Sequence, residues 1–509
     1  MKTTSRREFL SLAGRRAGYA AVGWALAQRI GFAEALCAAK AERLRFGSLD
    51  PLVDLMQETP ADELLPLVVG RLRSGTSLAE IVGAAALANA RAYGGTDYNG
   101  YHALMAMMPS YEMAAQMPAP YGPLPVLKVL HRNARFLQES GRAKQDALEP
   151  LDDPEGAGGS DDLVESLRGH WMPKAEYRLA ALERKSPAIA YEQLQIGVRD
   201  DLEVHRVVLS WRAYDLLKLT GDDQSVTMLR QSVRFYMDAE KNRVARGDPV
   251  TTFAKVLPKL VEKNGLASRE RGTRAADEAR IDAWASTIFS GDGATAAGAV
   301  AEALAEGFDP EDVGAAMSLA ATRLLLNDPG LSREQPGRPA GSVHGASVGV
   351  HASDAMNAWR HIARVGGAKH AFKTLIAGAY HTAGQSGRVG AQAFDHDTDP
   401  CTKSDPAELL REIDGRIRER DQKGACAAAR RYCSLGHEAP ELFALLLRHA
   451  VSEDGALHAE KYFRTAQDEH SNARPSHRAL YLVALTRVMA SHHGFPAPGL
   501  EEARKLLAG

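Results

Sequence analysis

The twenty residues "SVHGASVGVHASDAMNAWRH" (342–361) carry His344, His351 and His361 in a stretch of small and apolar side chains where only Asp354 and Arg360 are charged. Imidazole in such surroundings has three uses: metal ligand, acid/base group, or hydrogen-bonded core polar group. If the stretch is one helix, His344 and His351 share a stripe about 10.5 Å apart, too far for one ion but suited to lining one cavity. Asp354, three residues beyond His351, is then placed to orient its ring. His370 and His381, eleven apart, also fall near one stripe. His205 follows Asp201 by four residues and His458 follows Asp454 by four, which on a helix is carboxylate-to-imidazole contact spacing.

No HExxH, ExxH or paired CxxC signature occurs, so a metal site would have to be assembled from separate helices. His102, His205, His351 and His458 are one such set, and His102, His205 and His344 are the metal ligands expected. Imidazole suits iron, copper and zinc, and iron or copper is the expected metal. Near the C-terminus His458, Lys461 and Arg464 recur at three-residue steps, on one helix face. They form either a solvated basic face or, with His351 and Asp354, a catalytic group that clamps an anion or carbonyl. The acidic run "AFDHDTDP" (393–400) has Pro400 where a calcium loop needs glycine and reads as a polar loop. Walker and GxGxxG patterns are absent, and "GASVG" (345–349), which has the GxSxG spacing, lacks the preceding strand of a nucleophile elbow.

The elements that must position these residues are helical. Segments such as "LAEIVGAAALANARAY" and "HRALYLVALTRVMASHH" return apolar residues every three or four positions, and alternating Val/Ile/Thr runs are missing, so an all-α fold is expected. "LRSGTSLAEIVGAAALANAR" (72–91) aligns without gaps to "LAEGFDPEDVGAAMSLAATR" (304–323), each reading as a glycine turn, a capped start at Ser77 or Asp309, and a small-residue helix. "YHAL" (101–104) then meets "VHGA" (343–346), making His102 and His344 equivalent. Two related halves, 48–262 and 278–509, are expected to pack around a central cavity lined by histidines.

The chain has 509 residues, 45% apolar and 25% charged, with a net charge of −2, so it can bury a large core and lacks the basic excess that nucleic-acid binding requires. Its four cysteines form no disulfide scaffold, although Cys426 and Cys433 could pair. Residues 1–39 stand apart. Arg6 and Arg7 precede Phe9 and Leu10, and an apolar run follows from Ala17 to Ala27, a pattern that resembles a twin-arginine export signal. Cleavage after Ala27, Ala35 or Ala39 fits small-x-small sites. The expected address is periplasmic or extracytoplasmic in a bacterium, reached through the twin-arginine machinery. No later run approaches the roughly 20 apolar residues of a membrane span, so the mature chain is not expected to cross one.

The segment 436–470, with its Gly-His, Pro-Glu-Leu, Asp-Gly and His-x-x-Lys-x-x-Arg elements, resembles the C-terminal region of the questin oxidase-like family, and "HASDAMNAW" (351–359) and "VHRVVLSWRAYDLL" (204–217) resemble that family's inner histidine-bearing helices. The resemblance implies an all-helical oxygenase-like oxidoreductase acting on an aromatic or polycyclic small molecule. The family's namesake opens an anthraquinone ring with a nicotinamide donor. Where its inner helix has paired histidines, only His205 stands here. NADPH would serve only in a chain that stays in the cytoplasm. The competing reading is a non-catalytic exported helical protein that binds a metal or small ligand through inward-facing histidines.

Overall fold

The computed structural model describes residues 43–151, 160–248, 252–335, 340–343, 347–389 and 401–509. Among them every regular element is helical, as the periodicity predicts, and β-type pairing is limited to isolated bridges such as those between Arg274 and Phe308 and between Glu453 and Pro496. Phe46–Gly509 form one compact unit. Residues 1–39, read above as an export signal, His344 and the acidic run 393–400 lie outside the described residues.

Seven helices hold the region of interest: α1 (Leu78–Tyr93), α2 (Tyr98–Ala114), α3 (Val204–Asp215), α4 (Pro310–Asn327), α5 (Val348–Arg364), α6 (Ala368–Ala383) and α7 (His458–Asn472). Local chemistry fixes where each begins. Ser77 and Glu80 form a reciprocal capping box ahead of α1, the Ser77 hydroxyl accepting from Glu80 N and the Glu80 carboxylate from Ser77 N. Asp309 accepts from Glu311 N at 2.9 Å ahead of α4, whose first residue is proline. Both starts follow a glycine in the left-handed region, Gly75 at φ 97° and Gly307 at φ 82°. The aligned segments thus share their turn, cap and buried small-residue helix.

Small residues bring helices into backbone contact. A Cβ on Gly349, in the first turn of α5, would stand 2.3 Å from the Leu325 Cα of α4, and one on Gly83 of α1 would stand 2.8 Å from the Leu219 carbonyl oxygen. Around this tight centre α5 also packs on α6, α3 and α7, and α2 packs on α1, α3 and α7. Helices from 48–262 therefore lie directly against helices from 278–509.

Cys401, Cys426 and Cys433 are free thiols. The pairing of Cys426 with Cys433 fails for a geometric reason: both sit on the helix Gln422–Ser434, where seven residues separate them by about 10.5 Å of rise, beyond disulfide reach. No helix among the described residues is long and apolar enough to cross a membrane.

Candidate functional site

Helices α2, α3, α5 and α7 pack on one another in cyclic order, each against the next. Each carries a histidine near its amino end: His102 is the fifth residue of α2, His205 the second of α3, His351 the fourth of α5 and His458 the first of α7. Helical side chains lean toward the N-terminus, so residues in a first turn project past the helix end. The four imidazoles accordingly meet. Ring centres are 5.0 Å apart for His102–His205, 5.6 Å for His205–His351, 5.4 Å for His351–His458 and 5.3 Å for His458–His102.

The ring protons are placed from behind. His102 Nδ1–H donates to the Tyr98 carbonyl at 2.7 Å, His205 Nδ1–H to the Glu203 carboxylate at 2.6 Å, and His458 Nδ1–H to the Ala456 carbonyl at 3.0 Å. A proton fixed on Nδ1 leaves Nε2 with its lone pair. The Nε2 atoms of His102, His205 and His351 are buried and have no hydrogen-bond partner within the protein. Each such atom costs on the order of 1–3 kcal/mol if nothing fills its place. Burial, followed by the charges of His205 and Lys461, lowers the His351 pKa to about 3; burial and then Lys461 hold His102 well below the ordinary histidine range. Both rings are neutral at pH 7.

Glu203 holds His205 in place. It precedes α3 and accepts from the backbone N–H of His205 (2.9 Å) and Arg206 (3.1 Å) as well as from the His205 ring. Burial pushes its carboxyl up, but these bonds and the His205 charge outweigh that and leave it at about 2. Sequence reasoning passed over Glu203. The available signal was an acidic residue at a helix cap directly before "VHRVV".

The expected Asp201–His205 and Asp454–His458 pairs do not form, because α3 starts at Val204 and α7 at His458, leaving both aspartates outside the helices to which four-residue spacing applies. Asp201 pairs with Arg206 at 3.0 Å and Asp454 with Arg132 at 2.8 Å. Asp354 does not orient His351 either. Its carboxylate accepts from Thr465 Oγ1 at 2.9 Å.

The basic triplet on α7 is buried rather than solvated, His458, Lys461 and Arg464 being 4%, 3% and 9% exposed. Burial brings the Lys461 ammonium down to about 8 against the opposing pull of Asp354, and Lys461 is close enough to depress both His102 and His351. Arg464 belongs to a separate ion-pair network: it pairs with Glu112 and, at 3.0 Å, with Asp468, which also accepts from His361 Nε2 at 2.9 Å. His361 stacks on Trp211 with ring centres 4.4 Å apart and stays outside the histidine ring.

Two cavities border the ring. One of about 210 Å³ is lined by His351, Glu203, His381 and Arg388 among others, and a second of about 450 Å³ by His205, Glu203, Tyr98, Tyr101 and Phe235 among others. Glu203 lines both.

No protein-family model, curated protein or solved structure matches the chain.

Proposed function

We propose that the chain is an exported oxidoreductase of oxygenase type, similar to the questin oxidase-like proteins, in which His102, His205, His351 and His458 are the ligands of one transition-metal ion. The observation that carries this reading is the meeting of four imidazoles from four packed helices: His102, His205 and His351 bring buried Nε2 atoms without a protein partner, and His102, His205 and His458 are anchored through Nδ1 to a carbonyl or carboxylate. Outer partners of this kind fix the tautomer and raise the basicity of metal-bound histidines.

Among the described residues no group of three or more His, Cys, Asp or Glu is arranged, as it stands, to hold a metal ion. Neighbouring ring centres are nevertheless only 5.0–5.6 Å apart around the cycle, and the rings would have to move to bring their nitrogens onto one ion.

A bound iron or copper ion would supply a redox-active Lewis acid. The chain's own residues supply the rest. Glu203 holds the His205 ring through Nδ1 and places a carboxylate behind it. Lys461, poised near pH 8, carries a proton beside the rings, and positive charge at the centre would drive that proton off, leaving the amine as a base. Asp354, which accepts from Thr465 Oγ1, is close enough to Lys461 to oppose the fall in its pKa.

Metal analysis of protein exported by its native route tests the reading, with about one equivalent of iron or copper expected. Absence of metal after native export, and no uptake of either ion by the purified protein, would end it. The address has its own test: residues 1–45 should export a folded reporter, and Arg6→Lys with Arg7→Lys should block this.

A further inference from the structure

The smaller cavity differs in chemistry from its larger neighbour. His381, on α6, is 8% exposed and lines it. Trp359 Nε1–H donates to His381 Nδ1 at 3.2 Å. Indole nitrogen can only donate, so His381 Nδ1 must be the acceptor and the neutral ring keeps its proton on Nε2. This tautomer is the reverse of that in the histidine ring. His381 therefore offers an N–H to the cavity. Burial lowers the His381 pKa to about 4, so the donor is uncharged at pH 7.

Arg388 supplies the cation on the same wall, exposed at the cavity's rim, with the Gln385 amide beside it. The carboxylate in the cavity, Glu203, already accepts from two backbone N–H groups and the His205 ring. The amino ends of α3 and α5, at Val204 and Val348, also border the space and add the positive ends of two helix dipoles. Leu202, Val204, Val348, Ala352 and Ala355 make up its apolar walls.

We infer that this cavity is a subsite for a small carboxylate with an apolar body, the carboxylate lying between His381 Nε2–H and the Arg388 guanidinium and the body facing His351. The inference rests on the proposed metal centre for its catalytic meaning, since the cavity ends at a ring assigned to that centre. It does not rest on it for binding, because His381 and Arg388 are outside the ligand set. A volume of about 210 Å³ admits a single aromatic ring with a carboxylate.

Benzoate is a suitable probe, titrated calorimetrically into the exported protein both as purified and after chelation of metal. Binding is expected in both forms. Benzyl alcohol, which has the same ring and no charge, should bind at least tenfold more weakly. Arg388→Gln, at an exposed position that leaves the fold alone, should weaken benzoate about tenfold, and His381→Phe should do the same without changing metal content. Benzoate binding only to metal-loaded protein, with Arg388→Gln silent, would mean that the anion sits on the metal and would overturn the subsite while leaving the metal centre intact. Equal binding of benzyl alcohol and benzoate would overturn it too. Benzoate binding to a protein that takes up no iron or copper would uphold the subsite and remove the metal centre.

Discussion

A buried imidazole does what its Nδ1 partner dictates, and two histidines here have opposite instructions. His102 donates to a carbonyl and turns a lone pair inward; His381 accepts from an indole and turns a proton outward. Residue types alone could nominate both, but the tautomer depends on groups distant in sequence, such as Trp359 on another helix. That is why the four ring members were identifiable as a set from sequence, while Glu203 was not singled out and Asp354 was given a role it does not have. The consequence is testable at Glu203. Glu203→Gln keeps the size and a cap oxygen but loses the carboxylate that fixes the His205 proton, so metal affinity should fall about 10- to 100-fold, measured by competition with a chelator. His351→Gln should abolish stoichiometric metal while shifting the metal-free melting temperature by only a few degrees. Should His351→Gln instead unfold the protein and leave metal content per folded molecule unchanged, His351 is a core histidine and the ligand set is wrong.

At the scale of elements, helix identity was legible because apolar periodicity persists over many residues, but the starting points decided the chemistry. Four-residue spacing predicted carboxylate partners for His205 and His458 and failed at both, since each helix begins after the aspartate. Ahead of α7 the start is marked by a backbone feature that spacing cannot reveal: Ala456 (φ 46°) and Leu457 (φ 66°) both adopt left-handed conformations, and the Ala456 carbonyl then accepts from the His458 ring. Such positions in non-glycine residues cost of order 1–3 kcal/mol each and persist only where surrounding structure enforces them. Close helix approach has a sharper test. Gly349→Ala would drive a methyl against the α4 backbone two residues from His351, whereas Gly83→Ala makes a similar clash in α1, which contributes no histidine to the ring. Both should lower stability by more than about 2 kcal/mol. Only Gly349→Ala should also weaken metal binding in the molecules that remain folded, as read by metal content of the soluble fraction.

For the whole molecule, burying neutral histidines in many places makes acid a global denaturant. Burial lowers the pKa of His351, His370 and His492 to about 3 and that of His381 to about 4, and lowers His102 further. In the unfolded chain each titrates near 6.5. Between those values the unfolded state binds protons that the folded state refuses, so stability is lost as pH falls from about 6.5 toward the folded values, at about 1.4 kcal/mol per pH unit for each histidine. Five such groups together approach 7 kcal/mol per unit, against a typical total stability of 5–15 kcal/mol. Glu203, held at about 2, acts in the same direction at lower pH. The metal-free protein should therefore unfold cooperatively between about pH 6 and pH 4, long before its carboxylates are exhausted. Metal binding opposes this, since an ion on Nε2 excludes the proton; loaded protein should hold its fold to lower pH and release the ion as it unfolds. Replacing His351 by Gln removes one titrating site, so circular dichroism of the metal-free variant should show a shallower acid limb by close to one proton. A limb unchanged by His351→Gln would show that this ring is as readily protonated folded as unfolded, and the buried neutral tautomer on which the metal centre depends would fall with it.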